Sequence, residues 1–310
     1  MKHWTLILSL GLAIQLGLTA WLWWPAPAPQ TTTLLQLDRQ QLNEIRLQQG
    51  GQQLVLHKQD GQWRLPALQD QPANSGKIAL LLSQLAEQRL GFPVSQSVAS
   101  HQRFSVADDN YQWKLSLKAG QQQQEWLIGN SPAFKQLYLR QAGQDQVYQV
   151  ALNSADWSTD ASRWFDTGLL QVPALQQLST DGLELSQQDG KWQLSQPQGQ
   201  PELADQAAAE QLQRRFASLQ VTGPALPAPA IPAQDPVKNL SVRSATGQWQ
   251  FRLKSGADQY LIQRSDRPHW YPIAKADFDH LAQLRPDQLV AQSKPAQAES
   301  ETATPQQAEP

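Results

Sequence analysis

A twelve-residue stretch occurs twice in this chain, and each copy has the pattern of a β-hairpin. Residues 54–65 read LVLHKQDGQWRL and residues 183–194 read LELSQQDGKWQL, with seven identities at constant spacing. Apolar and polar residues alternate on both sides of an Asp-Gly pair, which favours the positive φ angles of a tight hairpin turn. The repeated hairpin predicts two diverged copies of one structural unit.

The segments that follow each hairpin correspond in kind and in order. A helical pattern comes first, with apolar residues three and four positions apart. In the first copy the apolar residues are Ile78, Leu81, Leu82 and Leu85, which follow a candidate N-cap at Ser75. In the second copy they are Leu203, Ala207, Leu212, Phe216 and Leu219. Strand signals follow at 113–117 and 126–128, and at 249–253 and 260–262. A last strand, at 147–150 or 270–273, leads into a short helix at 154–157 or 275–278.

This order of hairpin, helix, meander and helix predicts an α+β fold. We expect two tandem diverged repeats, residues 34–172 and 173–291, each an antiparallel β-sheet with helices on one face. Residues 292–310 contain Pro, Ala, Gln, Glu and Thr with almost no large apolar side chains. Such a composition cannot offset the entropy of ordering, so a disordered tail is expected.

An apolar run at residues 4–24 precedes the repeats and predicts a single transmembrane helix. At ~1.5 Å per residue the run is long enough to cross a hydrocarbon core of about 30 Å. Trp residues stand at both of its ends, where indole favours the boundary between lipid and water. Lys2 precedes the run and no charge follows it until Asp38. The positive-inside rule therefore places residues 1–3 in the cytoplasm.

The rest of the chain is expected outside the cytoplasm, as a periplasmic domain on a single-pass inner-membrane anchor. Residues 25–33 read PAPAPQTTT, and alternating Pro makes this a stiff, extended spacer. A cleaved signal peptide is the competing interpretation. The length of the apolar run, the Trp residues in the cleavage zone and Pro29 after Ala-Pro-Ala favour the anchor.

Several short motifs resemble a bacterial family of domains of unknown function, number 4340. They are Asp60-Gly-Gln-Trp63, Trp126-Leu-Ile-Gly129, Tyr138-Leu-Arg140, Val147-Tyr148 and Trp164-Phe-Asp-Thr-Gly-Leu-Leu170. The resemblance covers about residues 45–170 and departs at 101–110, where the family commonly has a Tyr-Gly-Leu turn. Such domains are typically membrane-anchored envelope proteins, often encoded beside ABC-type transporter components and gliding-motility-like proteins. The resemblance implies an envelope partner of that kind and transfers no catalytic residue.

Composition and motifs exclude several classes of function. A formal net charge of -2 gives no global attraction to nucleic acid, so no nucleic-acid partner is expected. The absence of Cys excludes disulfides, thiolate metal sites, a Cys nucleophile and a lipid-modified Cys. HExxH, GxSxG, GxxxxGK[ST] and GxGxxG do not occur. We therefore assign no catalytic, cofactor-binding or metal-binding residue and expect no cofactor.

A few polar clusters have a chemical and a structural interpretation. Asp277 and His280, three apart beside Asp279, could supply two metal ligands, but an acidic side chain at a helix start also complements the helix dipole. Asp108-Asp109 could pair as acid and base, although turn chemistry explains adjacent carboxylates equally. The structural interpretation is favoured for both clusters. The basic pairs Arg214-Arg215 and Arg264 with Arg267 could bind an anion, but solvated faces are favoured for them. The structural interpretation is also favoured for His3, His57, His101, His269 and His280.

The leading functional hypothesis is a non-enzymatic accessory or scaffold protein of an envelope complex, with an ABC-type transporter as one candidate partner. Trp residues offer an alternative, because exposed indoles can stack on sugars in a glycan-binding or peptidoglycan-binding module. Trp63 and Trp192 recur at equivalent strand positions, which favours core packing instead. An envelope hydrolase with an unrecognised site is a remote third hypothesis.

Overall fold

The computed structural model describes residues 33–155, 157–197, 199–227, 238–256 and 259–291, together with Gln15 and Thr19. The chain forms two compact units. The first comprises Met1–Ala67 and Ser75–Ala161, and the second comprises Leu68–Asn74 and Ser162–Pro310. A short segment between the first hairpin and the first long helix therefore belongs to the second unit.

The secondary structure consists mainly of β-strands. In chain order these are β1 (Leu42–Gln49), β2 (Gln52–Gln59), β3 (Gln62–Leu65), β4 (Gln71–Pro72), β5 (Val106–Ala107), β6 (Asn110–Tyr111), β7 (Trp113–Ala119), β8 (Gln122–Ile128), β9 (Leu137–Gln141), β10 (Val147–Val150), β11 (Leu175–Thr180), β12 (Leu183–Gln188), β13 (Lys191–Ser195), β14 (Glu202–Leu203), β15 (Lys238–Ser244), β16 (Gly247–Ser255), β17 (Tyr260–Arg264) and β18 (Tyr271–Pro272). The α-helices described between residues 33 and 291 are α1 (Ser75–Glu87), α2 (His101–Phe104), α3 (Gln206–Ala217) and α4 (Lys275–Ala282).

Each unit contains one antiparallel sheet. In the first unit the strands follow the order β10-β9-β8-β7-β1-β2-β3, and in the second the order β14-β13-β12-β11-β15-β16-β17-β18. Strands β5 and β6 form a separate hairpin. The predicted α+β class with antiparallel sheets is confirmed. The tandem repeat of one unit stays a prediction.

Both Asp-Gly pairs form the predicted hairpin turns. Asp60 and Gly61 have φ angles of 51° and 78°, and Asp189 and Gly190 have φ angles of 48° and 77°. Positive φ at both central residues matches the right-handed twist of the flanking strands. The apolar residues of each hairpin consequently share one face, and Leu56, Leu65, Leu185 and Leu194 are fully buried there.

The long helices bury the residues that face the sheets. In α1 these are the predicted Ile78, Leu81, Leu82 and Leu85. In α3 the buried residues are Ala209, Leu212 and Phe216. The predicted face of α3 was wrong at its start, because the side chain of Asp205 accepts a hydrogen bond from the Ala208 amide at 3.0 Å and caps the helix there. Leu203 therefore lies on β14 and Ala207 on the exposed side of the helix.

The strand order corrects one detail of the repeat pattern. The strand next to β11 is β15, which follows a Pro-rich stretch at residues 224–236 and was not predicted. Trp113 lies on β7, next to β1, whereas Trp249 lies one strand further out, on β16. Their environments differ accordingly, since Trp113 is buried and Trp249 is half-buried. The two Trp residues do not occupy equivalent places in the two sheets.

A small subdomain, helix α2 and the β5–β6 hairpin, packs on the first sheet. Phe104 and Val106 bury their side chains against Leu127 and Val147. Arg140 on β9 is only 3% exposed, and its guanidinium donates hydrogen bonds to the Val106 carbonyl at 2.7 Å and the Gln144 carbonyl at 2.9 Å. These bonds satisfy a buried cation and attach the hairpin to the sheet.

The end of β8 approaches the subdomain so closely that only Gly fits at residue 129. A Cβ atom there would lie 2.0 Å from the Phe104 carbonyl oxygen. The neighbouring amide of Asn130 donates a hydrogen bond to that same oxygen at 3.1 Å. Gly129 and Arg140, two of the residues that carry the family resemblance, thus form the joint between sheet and subdomain.

Several predictions concern residues outside the described part of the chain. Of the predicted transmembrane helix at 4–24, only Gln15 and Thr19 are described; both are helical, and the Thr19 hydroxyl donates to the Gln15 carbonyl at 2.6 Å. The spacer up to residue 32 and the tail at 292–310 are not described. Within the described residues, no helix combines the length and the apolarity needed to cross a membrane.

Replacing Gly129 with Ala should destabilise the first unit. The added methyl overlaps the Phe104 carbonyl, and overpacking against backbone costs on the order of 1–3 kcal/mol. Gly91→Ala is the matched control, because a Cβ at residue 91 meets no atom within 4 Å. Urea denaturation of the purified protein measures both. A Gly129→Ala variant that unfolds at the same urea concentration as Gly91→Ala would contradict the close approach.

Candidate functional site

The Trp residues outside the predicted membrane helix mostly fill the core. Seven are buried, namely Trp63, Trp113, Trp126, Trp157, Trp164, Trp192 and Trp270. The eighth, Trp249, is half-buried and lies beneath the guanidinium of Arg264, whose central carbon is 5.2 Å from the ring centroid. Seven of the eight indoles are thus unavailable for stacking on a sugar, and Arg264 covers one face of the eighth. The core-packing interpretation of Trp63 and Trp192 is confirmed.

The acidic residues of α4 act within the helix. Asp279 forms an ion pair with Lys275, four residues earlier. Asp277 lies in the first helical turn, where a negative charge complements the helix dipole, while the N-cap residue Ala274 makes no side-chain capping bond. The structure thus supports the dipole role and shows no capping hydrogen bond.

Asp277 and His280 do share one face, and Arg215 of α3 faces them. The three side chains line a cavity of about 10 Å³, room for one water molecule. The Arg215 guanidinium opposes the binding of a cation between the two candidate ligands. In the described ranges, no group of three or more His, Cys, Asp or Glu side chains could hold a metal ion. The arrangement gives the metal interpretation no support.

The adjacent carboxylates Asp108 and Asp109 have separate partners. Asp108 Oδ1 accepts a hydrogen bond from Arg140 Nη2 at 2.8 Å. Asp109 Oδ1 accepts one from Gln102 Nε2 at 2.9 Å. Both residues lie in the turn between β5 and β6, so the turn interpretation agrees with the structure. The two carboxylates do not converge on a common point as an acid and base would.

The basic residues near the end of β17 differ from the sequence-based expectation. Arg264 was expected on a solvated face, yet it is only 6% exposed. Its Nε and Nη2 atoms donate to the two Asp266 oxygens at 2.7 Å and 2.9 Å. Burial raises the pKa of Asp266, but hydrogen bonds and charge from Arg264, with the charge of Arg267, outweigh burial and lower that pKa. The pair closes a turn, and the two-residue spacing of Arg and Asp was its only sequence signal.

A polar cleft of about 290 Å³ covers the open face of the first sheet. It is lined by Glu44, Arg46, Gln48, Lys114, Ser116, Lys118, Gln123 and Glu125. Arg46 pairs with Glu44 at 2.8 Å, and Lys114 pairs with Glu125 at 3.0 Å. Most charges of this face therefore have a partner within the same face.

Glu125 is the centre of that network. Burial alone would raise the pKa of its carboxyl. Hydrogen bonds from Ser116, Lys114 and Gln123, together with the Lys114 charge, outweigh burial and hold the pKa below its ordinary value. The ionised carboxylate is thus the form that the folded protein favours.

A different surface of the first unit exposes large apolar side chains. Phe92 is 80% exposed and Phe134 is 86% exposed, and Val94 and Val98 are also exposed. All four lie in segments attached to the edge strand β10. The Val94 amide donates to the Val147 carbonyl at 2.8 Å, and the Gln149 side chain donates to that of Gln136, two residues after Phe134. We call these four residues and the outer edge of β10 the β10 surface.

The β10 surface is the best candidate for an interaction site. Single exposed apolar residues are common on soluble proteins, but several along one edge mark a binding surface. Of the large apolar residues that are exposed in the described part of the chain, only Leu203 lies in the second unit. Sequence reasoning missed this surface because its residues lie in loops without periodicity.

The network at Glu125 predicts a pH-dependent stability. A carboxylate with a lower pKa in the folded state stabilises the fold above its unfolded pKa, and the contribution is lost as the pH falls through the folded pKa. Glu125→Gln should therefore lower the urea midpoint near neutral pH, and the difference from wild type should shrink in acid. Ser116→Ala, which removes one bond to the carboxylate, should show a smaller difference of the same kind. A Glu125→Gln difference that stays constant with pH would contradict this account.

Comparison with known proteins identifies the family. The family model "Domain of unknown function (DUF4340)" matches residues 63–240, which is more than half of the chain. The match includes Gly129 and Arg140 at the joint with the subdomain and continues into the second unit as far as Leu240 on β15. No curated protein and no solved structure matches the chain. The chain belongs to the DUF4340 family.

Proposed function

We propose that this protein is a non-enzymatic accessory or scaffold protein that binds an envelope protein through its β10 surface. The observation that carries the proposal is the set of exposed apolar side chains along β10, headed by Phe92 and Phe134. Burying two such side chains in an interface supplies about 1.5–3 kcal/mol each. A surface of this kind suits a protein partner rather than a small polar substrate.

The polar groups of the protein support the same proposal. Arg140, Arg264 and Glu125 are held by partners within their own unit, and their arrangement explains packing and turn closure. Asp108 and Asp109 are likewise engaged separately. A glycan-binding role rested on exposed Trp, and the burial of these residues removes its main support. The scaffold role is therefore the function that the geometry favours.

We also propose a membrane location for the protein and a common origin for its two units. Residues 4–24 anchor the chain in the inner membrane by one pass, with the N-terminus in the cytoplasm and the two units in the periplasm. The two units are diverged copies of one ancestral unit, a view supported by the repeated hairpin sequence and the similar strand orders. The family resemblance suggests an ABC-type transporter component as the partner.

Single-Cys labelling tests the topology, because the natural chain contains no Cys. A membrane-impermeant maleimide should label Leu203→Cys in spheroplasts, since Leu203 is 54% exposed. Lys2→Cys should react only after the membrane is opened. The converse result, with Lys2→Cys labelled and Leu203→Cys protected, would rule out the proposed orientation.

Replacement of the exposed aromatic side chains tests the scaffold role. We expect Phe92→Ser with Phe134→Ser to lower the recovery of crosslinked partners from solubilised membranes by about tenfold or more, because each loses apolar contact area. Leu203→Ser is the matched control, an exposed apolar residue of the other unit. Mass spectrometry quantifies the partners. Equal recovery from the double variant and the control would count against the β10 surface, and recovery of no partner from wild type would count against the scaffold role.

A further inference from the structure

The outer edge of β10 is only partly covered. Val147 uses both of its outward backbone groups, because its amide donates to the Ser95 carbonyl at 2.9 Å and its carbonyl accepts from the Val94 amide at 2.8 Å. In a β-strand, backbone groups of residues two apart point to the same side. The amide and carbonyl of Gln149 therefore also point away from β9. Within the described residues no backbone group pairs with them.

The corresponding edge of the second sheet shows what such an edge accommodates. Strand β18 ends that sheet as β10 ends the first. An extended segment of the chain lies along β18: the Thr222 amide donates to the Pro272 carbonyl at 2.8 Å, the Leu226 amide donates to the Trp270 carbonyl at 3.1 Å, and Val221 bridges to Ile273. The β18 edge is thus covered by an extended segment, whereas among the described residues the β10 edge has backbone partners only at Val147.

The sequence of β10 gives no protection against strand pairing. Natural edge strands commonly carry a charge, a Pro or a bulge that prevents another strand from joining. Strand β10 reads VYQV and has none of these, and Gln149 is exposed. Phe134 lies two residues before Gln136, whose side chain accepts a hydrogen bond from that of Gln149, and Phe92 lies two residues before Val94, whose amide donates to the Val147 carbonyl. Backbone groups and apolar contacts are therefore available together.

We propose that β10 binds an extended segment of a partner protein by strand addition at Gln149. The inference rests on the proposed scaffold function and specifies its partner as an extended segment with alternating apolar side chains. The partner's carbonyl accepts from the Gln149 amide, and a partner amide donates to the Gln149 carbonyl. Its apolar side chains contact Phe92 and Phe134. Main-chain bonds supply affinity and the flanking side chains supply selectivity, as in other strand additions.

A pair of substitutions isolates the backbone donor. Gln149→Pro removes the outward amide hydrogen and leaves the bonds between β9 and β10 in place, because the Gln149 amide points away from β9. Gln149→Ala removes the same side chain but keeps the amide. Each substitution is introduced into the full chain together with Phe134→p-benzoylphenylalanine, a photo-crosslinker. Membranes that contain the variants are then irradiated. The crosslinked peptides are then mapped by mass spectrometry.

We expect adducts with an extended segment of another protein. Gln149→Pro should lower their yield about fivefold or more, because it removes a hydrogen bond that also fixes the register of the added strand. Gln149→Ala keeps that bond and should lower the yield less than about twofold. Hydrogen exchange provides a readout that does not depend on the folding of the Pro variant. In the wild-type complex the Gln149 amide should exchange about tenfold or more slowly than in the free protein.

The other outcomes overturn the proposal in distinguishable ways. Protein adducts that Gln149→Pro leaves unchanged, with no slowing of exchange at Gln149, would refute strand addition while the scaffold function stands. Adducts with lipid alone, or no adducts, would refute both. Adducts with a second copy of this chain would replace the partner protein by self-association and refute the inference as stated.

Discussion

The antiparallel pairing of β1 with β7 holds the first sheet together. Ile45 pairs with Leu117 and Leu47 with Leu115, so residues about seventy positions apart along the chain join the hairpin half of the sheet to the meander half. Strands β11 and β15 make the same kind of connection in the second sheet, with Leu178 opposite Val242. Every other strand of the two sheets adds to one of these central pairs through a neighbour in sequence. The α1 core, the subdomain and the β10 surface all depend on this connection.

The two Asp-Gly hairpins and α1 were accessible from sequence because their signals are strong and short-ranged. Asp-Gly between alternating residues leaves few conformations other than a hairpin, and the α1 spacing leaves one apolar face. Strand β15 was missed because only Leu240 and Val242 mark it as buried, directly after a Pro-rich stretch. The sequence comparison therefore matched β16 to β7 and β17 to β8, although each strand of the second sheet lies one position further from the centre of its sheet.

The buried cations and the candidate site were less accessible. Arg140 reads as a surface residue, since the carbonyl of Val106 that it binds is 34 positions away and a carbonyl acceptor has no signature in sequence. Arg264 reads the same way, although its partner Asp266 is only two residues further along. Phe92 and Phe134 carry no periodic pattern, and their exposure follows from the loops that display them. Binding surfaces on loops are thus the features of such a chain that are hardest to predict from sequence patterns.

The segment Leu68–Asn74 has a consequence for biosynthesis. It belongs to the second unit, yet it leaves the ribosome before α1 and most of the first sheet. Its contacts within the second unit can form only after residues from Ser162 onward have been synthesised. The second unit therefore cannot fold completely from the stretch Ser162–Pro310 alone. A single proteolytic cut between the units likewise leaves one of them lacking a piece. Neither unit is therefore encoded by one contiguous stretch of chain, although each has its own sheet.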